Sequence, residues 1–279
     1  MRALWTSAHG MAGQQLRLDT ISNNMANLNT VGFKQQDVDF KDMLYAQIRQ
    51  TEVTGALQGR QTTSGLRIGH GVLPVGISQQ FTQGTLLQTK NLLDVGIEGE
   101  EGFFEVGIYN AAGNLTGYAY TRDGSFAVGY DRNQVPYLTD SDGNPVLGTD
   151  RLPISLEGFD VSSLQVDKTG RMTALRGGVR EAVGQLELVQ IEHPDTNLEP
   201  FGDNLYALKD AAAPTALTRG AYNLPNGATL KQGYMEQSNV DMIGQMTSMI
   251  MTQRAYSMNA RALQTVDQMM GMANNLRNG

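Results

Sequence analysis

Residues 240–279 read VDMIGQMTSMIMTQRAYSMNARALQTVDQMMGMANNLRNG. The segment has no proline, and its only internal glycines are Gly244 and Gly271. One column with seven-residue spacing is wholly apolar, and a second is mixed; steps of four and three residues place both columns on one stripe of a helix. The segment therefore predicts a helix over residues 240–277, roughly 57 Å long at 1.5 Å per residue, that needs a partner for its stripe. The first column is Met242, Met249, Tyr256, Leu263 and Met270, and the second is Met246, Gln253, Ala260 and Asp267.

The beginning of the chain carries a matching pattern, which predicts a helix over residues 1–30. Two glycines weaken this helix by roughly 1 kcal/mol each relative to alanine. The periodicity leaves two interpretations open: an antiparallel helix pair that closes an ordinary globular domain, or a coiled coil that forms a polymer. The apolar column is Leu4, Met11, Leu18 and Met25, and its companion is Ser7, Gln14, Ile21 and Leu28.

The composition excludes several classes of function. The net charge is 21 − 28 = −7, which makes nucleic acid an improbable partner. The chain has no cysteine, so disulfides, zinc thiolate sites and thiol nucleophiles are excluded. No apolar run approaches the roughly 20 residues of a membrane span, so we expect no direct membrane insertion. After Arg2 the chain reaches Gln14, Gln15 and Arg17 without a continuous apolar run, so we expect no cleaved signal peptide, and a protein that acts outside the cytoplasm would be exported by another route.

The middle of the chain has the pattern of a β domain. All eight prolines lie between Pro74 and Pro225, where short β-rich runs alternate with turn signals. Asp123-Gly124 predicts a two-residue hairpin, Asp142-Gly143 a turn, and residues 168–170 another hairpin. Strands are predicted over residues 103–106, 118–122, 125–128, 164–166, 171–175, 185–191 and 204–208.

The sequence offers little that indicates catalysis or a cofactor. The three histidines, His9, His70 and His193, are far apart and lack metal-ligand spacing. Residues 140–144, DSDGN, resemble the start of a calcium loop, but Pro145 and Arg151 stand where that loop needs glycine and glutamate. We therefore predict no enzyme activity, no cofactor and no metal.

Residues 22–29 are rich in asparagine, which is a poor residue for a helix interior because its side chain competes for backbone hydrogen bonds. One interpretation is a frayed helix end with Gly32 as a left-handed cap. The other is a strip of amide side chains that bind neighbouring subunits.

The run ISNNMAN at 21–27, followed by TVGFK at 30–34, resembles the signature of the bacterial flagellar rod and hook proteins. Within that family the motifs are most similar to those of the distal part of the rod, with the proximal rod and the hook as alternatives. The resemblance covers nearly the whole chain, although Gly244 and the GEEG at 99–102 depart from the family's pattern. Further motifs follow in the family's order: GLRIGHGV at 65–72, NLLDVGI at 91–97, GFFEV at 102–106, YTRDGSF at 120–126, SNV at 238–240 and TQRAY at 252–256.

The resemblance implies a structural protein that polymerises into a hollow helical tube in the flagellar basal body, within the cell envelope and periplasm. Such a tube transmits torque and forms part of an export channel. The implied partners are other copies of the chain, neighbouring rod and hook proteins, the flagellar export apparatus and, where an outer membrane is present, the L and P ring proteins. An alternative from another class is a carbohydrate-binding or hydrolytic module in the β domain, which would require polar groups converging in a pocket.

Taken together, these features predict an α+β fold in which long N- and C-terminal α-helices pair as an axial coiled-coil-like domain around an inserted, mainly antiparallel β domain. We expect an axial domain from residues 1–33 and 238–279, a connecting extended segment from 34–92 and 222–237, and an outward-facing β domain over 93–221. Residues 51–64 are expected to be poorly ordered in an isolated subunit. The predicted subunit-interface residues are Leu4, Met11, Leu18, Ser22, Asn23, Asn24, Met25, Asn27, Met242, Met246, Met249, Tyr256, Leu263 and Met270.

Overall fold

The computed structural model of the chain describes residues 2–43, 46–48, 66–68, 71–110, 113–131, 134–209, 217–220 and 228–278. The chain divides into two compact units. The helical unit contains Met1–Met25, Gln36–Ser78 and Met242–Gly279, and the β unit contains Ala26–Gln35 and Gln79–Asp241. Residues 51–64, for which poor order was predicted, lie outside the described part of the chain.

Two long helices lie at the ends of the sequence, as the seven-residue pattern predicts. Helix α1 covers Arg2–Ala26 and α3 covers Met242–Asn278, with a short α2 at Pro194–Asn197. Turns follow α1, and Gly32 has a positive φ of 68°, but it lies six residues beyond the end of the helix at Ala26 and so does not cap it. Because both ends are helical and the middle is β-rich, the predicted α+β class is confirmed.

Nineteen strands are formed by the described residues between the two long helices. They are β1 (Gln36–Asp42), β2 (Ala46–Ile48), β3 (Leu66–Ile68), β4 (Val72–Gln79), β5 (Leu86–Gln88), β6 (Val95–Glu98), β7 (Gly102–Tyr109), β8 (Leu115–Thr121), β9 (Ala127–Tyr130), β10 (Pro136–Thr139), β11 (Asp160–Val166), β12 (Arg171–Arg176), β13 (Val179–Gln185), β14 (Leu188–Ile191), β15 (Leu198–Gly202), β16 (Leu205–Leu208), β17 (Leu217–Arg219), β18 (Thr229–Gln232) and β19 (Tyr234–Glu236).

A six-stranded antiparallel sheet is the centre of the β unit. Its strand order is β15-β16-β8-β7-β14-β17. Strand β7 is buried on both faces, since Phe103 belongs to one apolar cluster and Phe104 to another. Successive side chains of a strand point to opposite faces, so each face of this sheet has its own core. Residues 185–191 were expected to be buried on both faces, and all of them except Gln185 and Gln190 are.

One predicted hairpin is wrong and another is confirmed. Asp123-Gly124 does not join paired strands, because β8 pairs with β7 and β16 while β9 pairs with β10. Gly124 serves a different purpose: a Cβ there would lie 1.8 Å from the Val95 carbonyl oxygen, so only glycine permits this approach. The β11–β12 hairpin is formed as predicted, with Gly170 at φ 76° in its turn.

Close contacts cover one side of α1 in the helical unit. A Cβ on Gly13 would lie 3.0 Å from the Phe40 ring, and one on Gly10 would lie 3.0 Å from Asn259 Nδ2 of α3. Asn24 is buried and pairs with the backbone of Gln36: its Nδ2 donates to the Gln36 oxygen at 2.7 Å, and its Oδ1 accepts from the Gln36 nitrogen at 2.9 Å. The two glycines that weaken an isolated helix therefore allow close packing in the folded unit.

Candidate functional site

A fully buried ionic cluster holds the β unit together. Glu236, in β19, receives Lys34 Nζ on Oε1 at 2.7 Å and Arg122 Nε on Oε2 at 2.8 Å. All three side chains have no solvent exposure. The Gly84 backbone nitrogen also donates to Oε1 at 2.8 Å, so the carboxylate is satisfied by three donors. A buried carboxylate needs this degree of pairing to offset the loss of hydration.

Backbone carbonyl groups accept further hydrogen bonds from the two cations. Lys34 Nζ donates to the Thr82 oxygen at 2.7 Å, and Arg122 Nη2 donates to the Gly99 oxygen at 2.6 Å. Arg122 Nη1 also donates to the Glu100 oxygen. The cluster therefore joins five segments of the sequence, at residues 34, 82–84, 99–100, 122 and 236.

Burial also changes the pKa of Lys34 within the cluster. The pKa of Lys34 is lowered from 10.5 to about 8, chiefly because the buried ammonium group loses its hydration and secondarily because Arg122 is near. Glu236 opposes this effect through its charge and its hydrogen bond. Loss of hydration, together with the second cation that shares the carboxylate, explains why Lys34 releases its proton more readily than an exposed lysine.

Local backbone geometry brings the segment 30–35 to this cluster. Gly32 donates from its nitrogen to the Glu236 backbone oxygen at 2.8 Å. A Cβ on Gly32 would lie 2.9 Å from the Arg122 carbonyl carbon, so glycine is required both by the positive φ and by the close approach. Asn239 accepts from the Gln35 nitrogen at 2.7 Å and donates to the Gln80 oxygen at 2.8 Å. The TVGFK and SNV motifs are thus neighbours within one subunit.

A second charged group lies in the β unit at Glu105. Its Oε1 accepts from Arg219 Nη2 at 3.1 Å and from Arg151 Nη2 at 3.3 Å, and the Arg151 guanidinium lies 4.4 Å from the Tyr118 ring centroid. Burial raises the pKa values of Glu105 and Glu187. Because Glu105 is completely buried and paired with two arginines, the arrangement stabilises the sheet and does not resemble an acid–base pair. Among the described residues, no group of three histidine, aspartate or glutamate side chains is arranged to hold a metal ion.

The predicted interface residues occupy different environments. In and just after α1, Leu4, Met11, Leu18, Met25 and Asn27 are half-buried, Ser22 and Asn23 are exposed, and Asn24 is buried. On α3, Met249 and Leu263 are half-buried, while Met242, Met246, Tyr256 and Met270 are exposed. Asn24 uses its amide within the subunit, and the assignment of all these residues to an interface stays a prediction.

Sequence reasoning missed the roles of Lys34, Arg122 and Glu236. The first two stand in the motifs TVGFK and YTRDGSF, and the only available signal was a charged residue within a short motif: Lys34 is the one charge of the first, and Arg122 is followed by Asp123 in the second. Their pairing joins positions more than 80 residues apart, and no periodicity reports such a contact.

Comparisons with known proteins place this geometry in a family. Residues 4–34 match the family described as "Flagella basal body rod protein", and residues 231–276 match "Flagellar basal body rod FlgEFG protein C-terminal". The chain is similar over 99% of its length to the flagellar basal-body rod protein FlgG of Borreliella burgdorferi, with 36% identity and 99% of that protein covered. The FlgG of Caulobacter vibrioides is 34% identical over 99% of this chain and 100% of its own.

The chain belongs to the flagellar basal-body rod protein family. It is a structural subunit of the rod. A third relative is the flagellar hook-basal body complex protein FlhP of Bacillus subtilis, which is 31% identical over 99% of this chain and 100% of its own. None of the helices in the described residues is long and apolar enough to cross a membrane.

The two matched segments of this rod protein contain its long helices and one buried ion pair. The first includes most of α1 together with Lys34, and the second includes Glu236 together with α3. Lys34 and Glu236 therefore connect, inside the β unit, the two segments that carry the family match.

Proposed function

We propose that this rod protein polymerises through its terminal helices into a hollow helical tube in the distal part of the rod. The tube transmits torque and forms part of the export channel, and association is its whole mechanism, with no reaction catalysed. Each contact joins two different surfaces of the subunit, so further copies can keep adding along the tube. A contact between two identical surfaces would instead stop at a closed dimer. The two helices act as an axial coiled-coil-like layer, and the β domain faces outward.

The observation that carries this proposal is the exposed apolar surface of α3. The helix has 37 residues, and large apolar side chains are exposed along it, including Ile243 at 76% and Met251 at 66%. Exposed apolar surface of this extent marks a protein contact site. The predicted columns that contain Met242 and Leu18 supply part of that contact surface.

The partners follow from a position in the rod. We propose contacts with further copies, neighbouring rod and hook proteins, the export apparatus and, where an outer membrane is present, the L and P ring proteins. The subunit is exported to the cell envelope. The net charge of −7 supports an outward surface that stays soluble while the near-neutral helices associate.

A neighbouring position in the flagellum is the second candidate. The relative from Bacillus subtilis is named a hook-basal body complex protein, and its identity of 31% is close to that of the FlgG relatives. This similarity favours the proximal rod or the hook as the alternative. A carbohydrate-binding or hydrolytic role for the β domain is less well supported, because in both charged clusters described above the carboxylate is buried and paired with two cations.

Electron microscopy of concentrated protein tests the proposal. We expect hollow tubes whose formation depends on protein concentration, with monomers remaining in dilute solution. A protein that stays monomeric at all concentrations and binds glycans would contradict the proposal and favour the carbohydrate-binding role of the β domain.

A further inference from the structure

Helix α3 has an exposed stripe that is separate from the predicted columns. The residues of this methionine stripe follow steps of seven, four, three, four and three positions, which keep them on one side of a helix. They lie about 120° around the helix from its most covered side chains at Gln245, Thr252 and Asn259. The stripe consists of Met251, Met258, Ala262, Thr265, Met269 and Met272, and all six are exposed.

Helix α1 has a complementary small-residue stripe. Its residues follow steps of four, three, four and three positions and lie on the side of α1 opposite Gly13 and Asn24. Three of the five side chains are alanine or serine, so the surface is a shallow groove with one acidic group. The stripe consists of Ala8, Ala12, Gln15, Asp19 and Ser22, and all five are exposed.

The two stripes of one subunit do not cover each other. Within the chain α1 approaches α3 through Gly10, which faces Asn259 on the covered side of α3. The stripes lie away from these facing sides, about 120° around α3 and on the far side of α1, and both are exposed among the described residues. Each stripe can therefore receive another molecule, and a second copy of this chain carries both complementary surfaces.

We propose that the methionine stripe of one copy packs antiparallel on the small-residue stripe of a second copy, in a register where facing residue numbers sum to 280 or 281. This inference rests on the proposed polymer and names the faces that meet within it. The contact is heterologous, as a growing tube requires. The facing pairs are Ala8–Met272, Ala12–Met269, Gln15–Thr265, Asp19–Ala262 and Ser22–Met258.

Side-chain chemistry selects this register. It places long methionine side chains over alanine and serine, so ridges enter a groove, and it places Gln15 against the polar Thr265. It also brings Asp19 beside Arg261, which is exposed next to the stripe. A shift of one heptad, to sums of 287 or 288, would set Asp19 on Met269, as would a parallel arrangement that kept Gln15 on Thr265. Each would bury the Asp19 carboxylate without a cation beside it, leaving only the Gln15 amide that donates to it at 3.2 Å, and burial of such a charge is costly.

Disulfide trapping tests the register. Because the chain contains no cysteine, a variant with one introduced cysteine has a single thiol, and any cross-link must form at that position. Ala12→Cys chains are assembled with Met269→Cys chains that carry an extra size tag, and then oxidised. The cross-linked heterodimer can form only between copies. We expect it to be at least about tenfold more abundant than with Met258→Cys as the partner, because that site is about 16 Å out of register and a disulfide requires Cβ atoms about 4 Å apart.

The outcomes separate this inference from the proposed function. Tubes that form without the Ala12–Met269 cross-link, or that cross-link equally through position 258, overturn the register and leave the polymer intact. Failure of the unmodified chain to form tubes overturns both.

A charge exchange tests the same contact should a cysteine variant fail to assemble. Asp19→Arg and Arg261→Asp should each raise the critical concentration for assembly about fivefold to tenfold through like-charge repulsion. The double variant should return to within about twofold of the unmodified chain. A double variant no better than either single one overturns the register.

Discussion

At the residue scale, the ionic cluster shows how a charge can be buried at low cost. Glu236 accepts from Lys34, Arg122 and the Gly84 nitrogen, while carbonyl oxygens of residues 82, 99 and 100 accept from the two cations. The carbonyl dipoles compensate the second positive charge, which no carboxylate neutralises. This compensation is incomplete at Lys34, as its lowered pKa shows.

The lowered pKa of Lys34 predicts a specific dependence of stability on pH. Its pKa is about 8 in the folded protein against 10.5 ordinarily, so the unfolded chain binds more protons between these two values. The free energy of unfolding should therefore rise with pH across this range, by about 3 kcal/mol in total. Urea unfolding measured from pH 7 to 10.5 checks this, with Lys34→Met as the reference that removes the titrating group.

The difference between the two proteins isolates the contribution of Lys34, because other groups titrate alike in both. It should be flat below pH 7.5 and increase in favour of the unmodified chain as pH rises through 8. A difference that stays constant to pH 10.5 would mean that Lys34 keeps an ordinary pKa inside the cluster.

Residue roles of this kind are the part that the sequence could least predict. Gly32 was predicted as a left-handed cap and has the expected φ, but its close approach to Arg122 depends on segments 90 residues apart. Asp123-Gly124 has the local signature of a hairpin, yet Gly124 is needed for contact with Val95. Local propensity competes with tertiary contacts, and here the tertiary contact decides the structure.

At the element scale, helix periodicity predicted the long helices well. The end helix was predicted over 240–277 and observed over Met242–Asn278, because a proline-free segment with a regular apolar pattern has few alternatives. The pattern did not reveal which side of α3 is covered within the subunit. The covered side is rich in small and polar residues such as Gln245, Thr252 and Asn259, which hydrophobic periodicity does not register.

The half-buried Met249 provides the test of the predicted column on α3. Met249→Asp places a carboxylate in an apolar column, where an unpaired buried charge is costly. We expect sedimentation to show assembly reduced by at least about tenfold, which corresponds to a loss of about 1.4 kcal/mol. Circular dichroism should show that the β unit keeps its structure.

The matched control is Met249→Leu, which conserves volume and polarity and should assemble normally. Leu18→Asp tests the corresponding column of α1 in the same way. Normal polymer from both aspartate variants would remove these columns from the subunit interface.

At the scale of the whole molecule, the boundary between the units does not follow the ends of the helices. Residues 26–35 comprise the last residue of α1 and the nine that follow it, yet they belong to the β unit. The segment is held there by Lys34, by the bond from Gly32 to the Glu236 oxygen and by the Asn204 amide, which donates to the Val31 oxygen at 2.7 Å. Composition changes along the chain suggested a β domain that begins later, since no pattern in residues 26–35 indicates contact with strands.

Truncation tests whether this segment is part of the β unit. A fragment over residues 26–241 keeps the cluster, whereas one over residues 36–241 loses Lys34 and several hydrogen bonds. Each lost bond costs about 1 kcal/mol, and the Glu236 carboxylate loses one of its three donors. We therefore expect the shorter fragment to be less stable by about 3–5 kcal/mol in urea unfolding, and to be cleaved sooner by protease.

The control is the longer fragment with Lys34→Met, which removes the ammonium group and leaves the backbone bonds of residues 26–35 in place. Its stability should lie between those of the two fragments, because Arg122 still pairs with Glu236 and the Gly32 bond remains. Equal stability of fragments 26–241 and 36–241 would assign residues 26–35 to the helical unit. A deficit that the lysine substitution reproduces in full would instead make the charge, and not the backbone bonds of the segment, the feature that attaches residues 26–35 to the β unit.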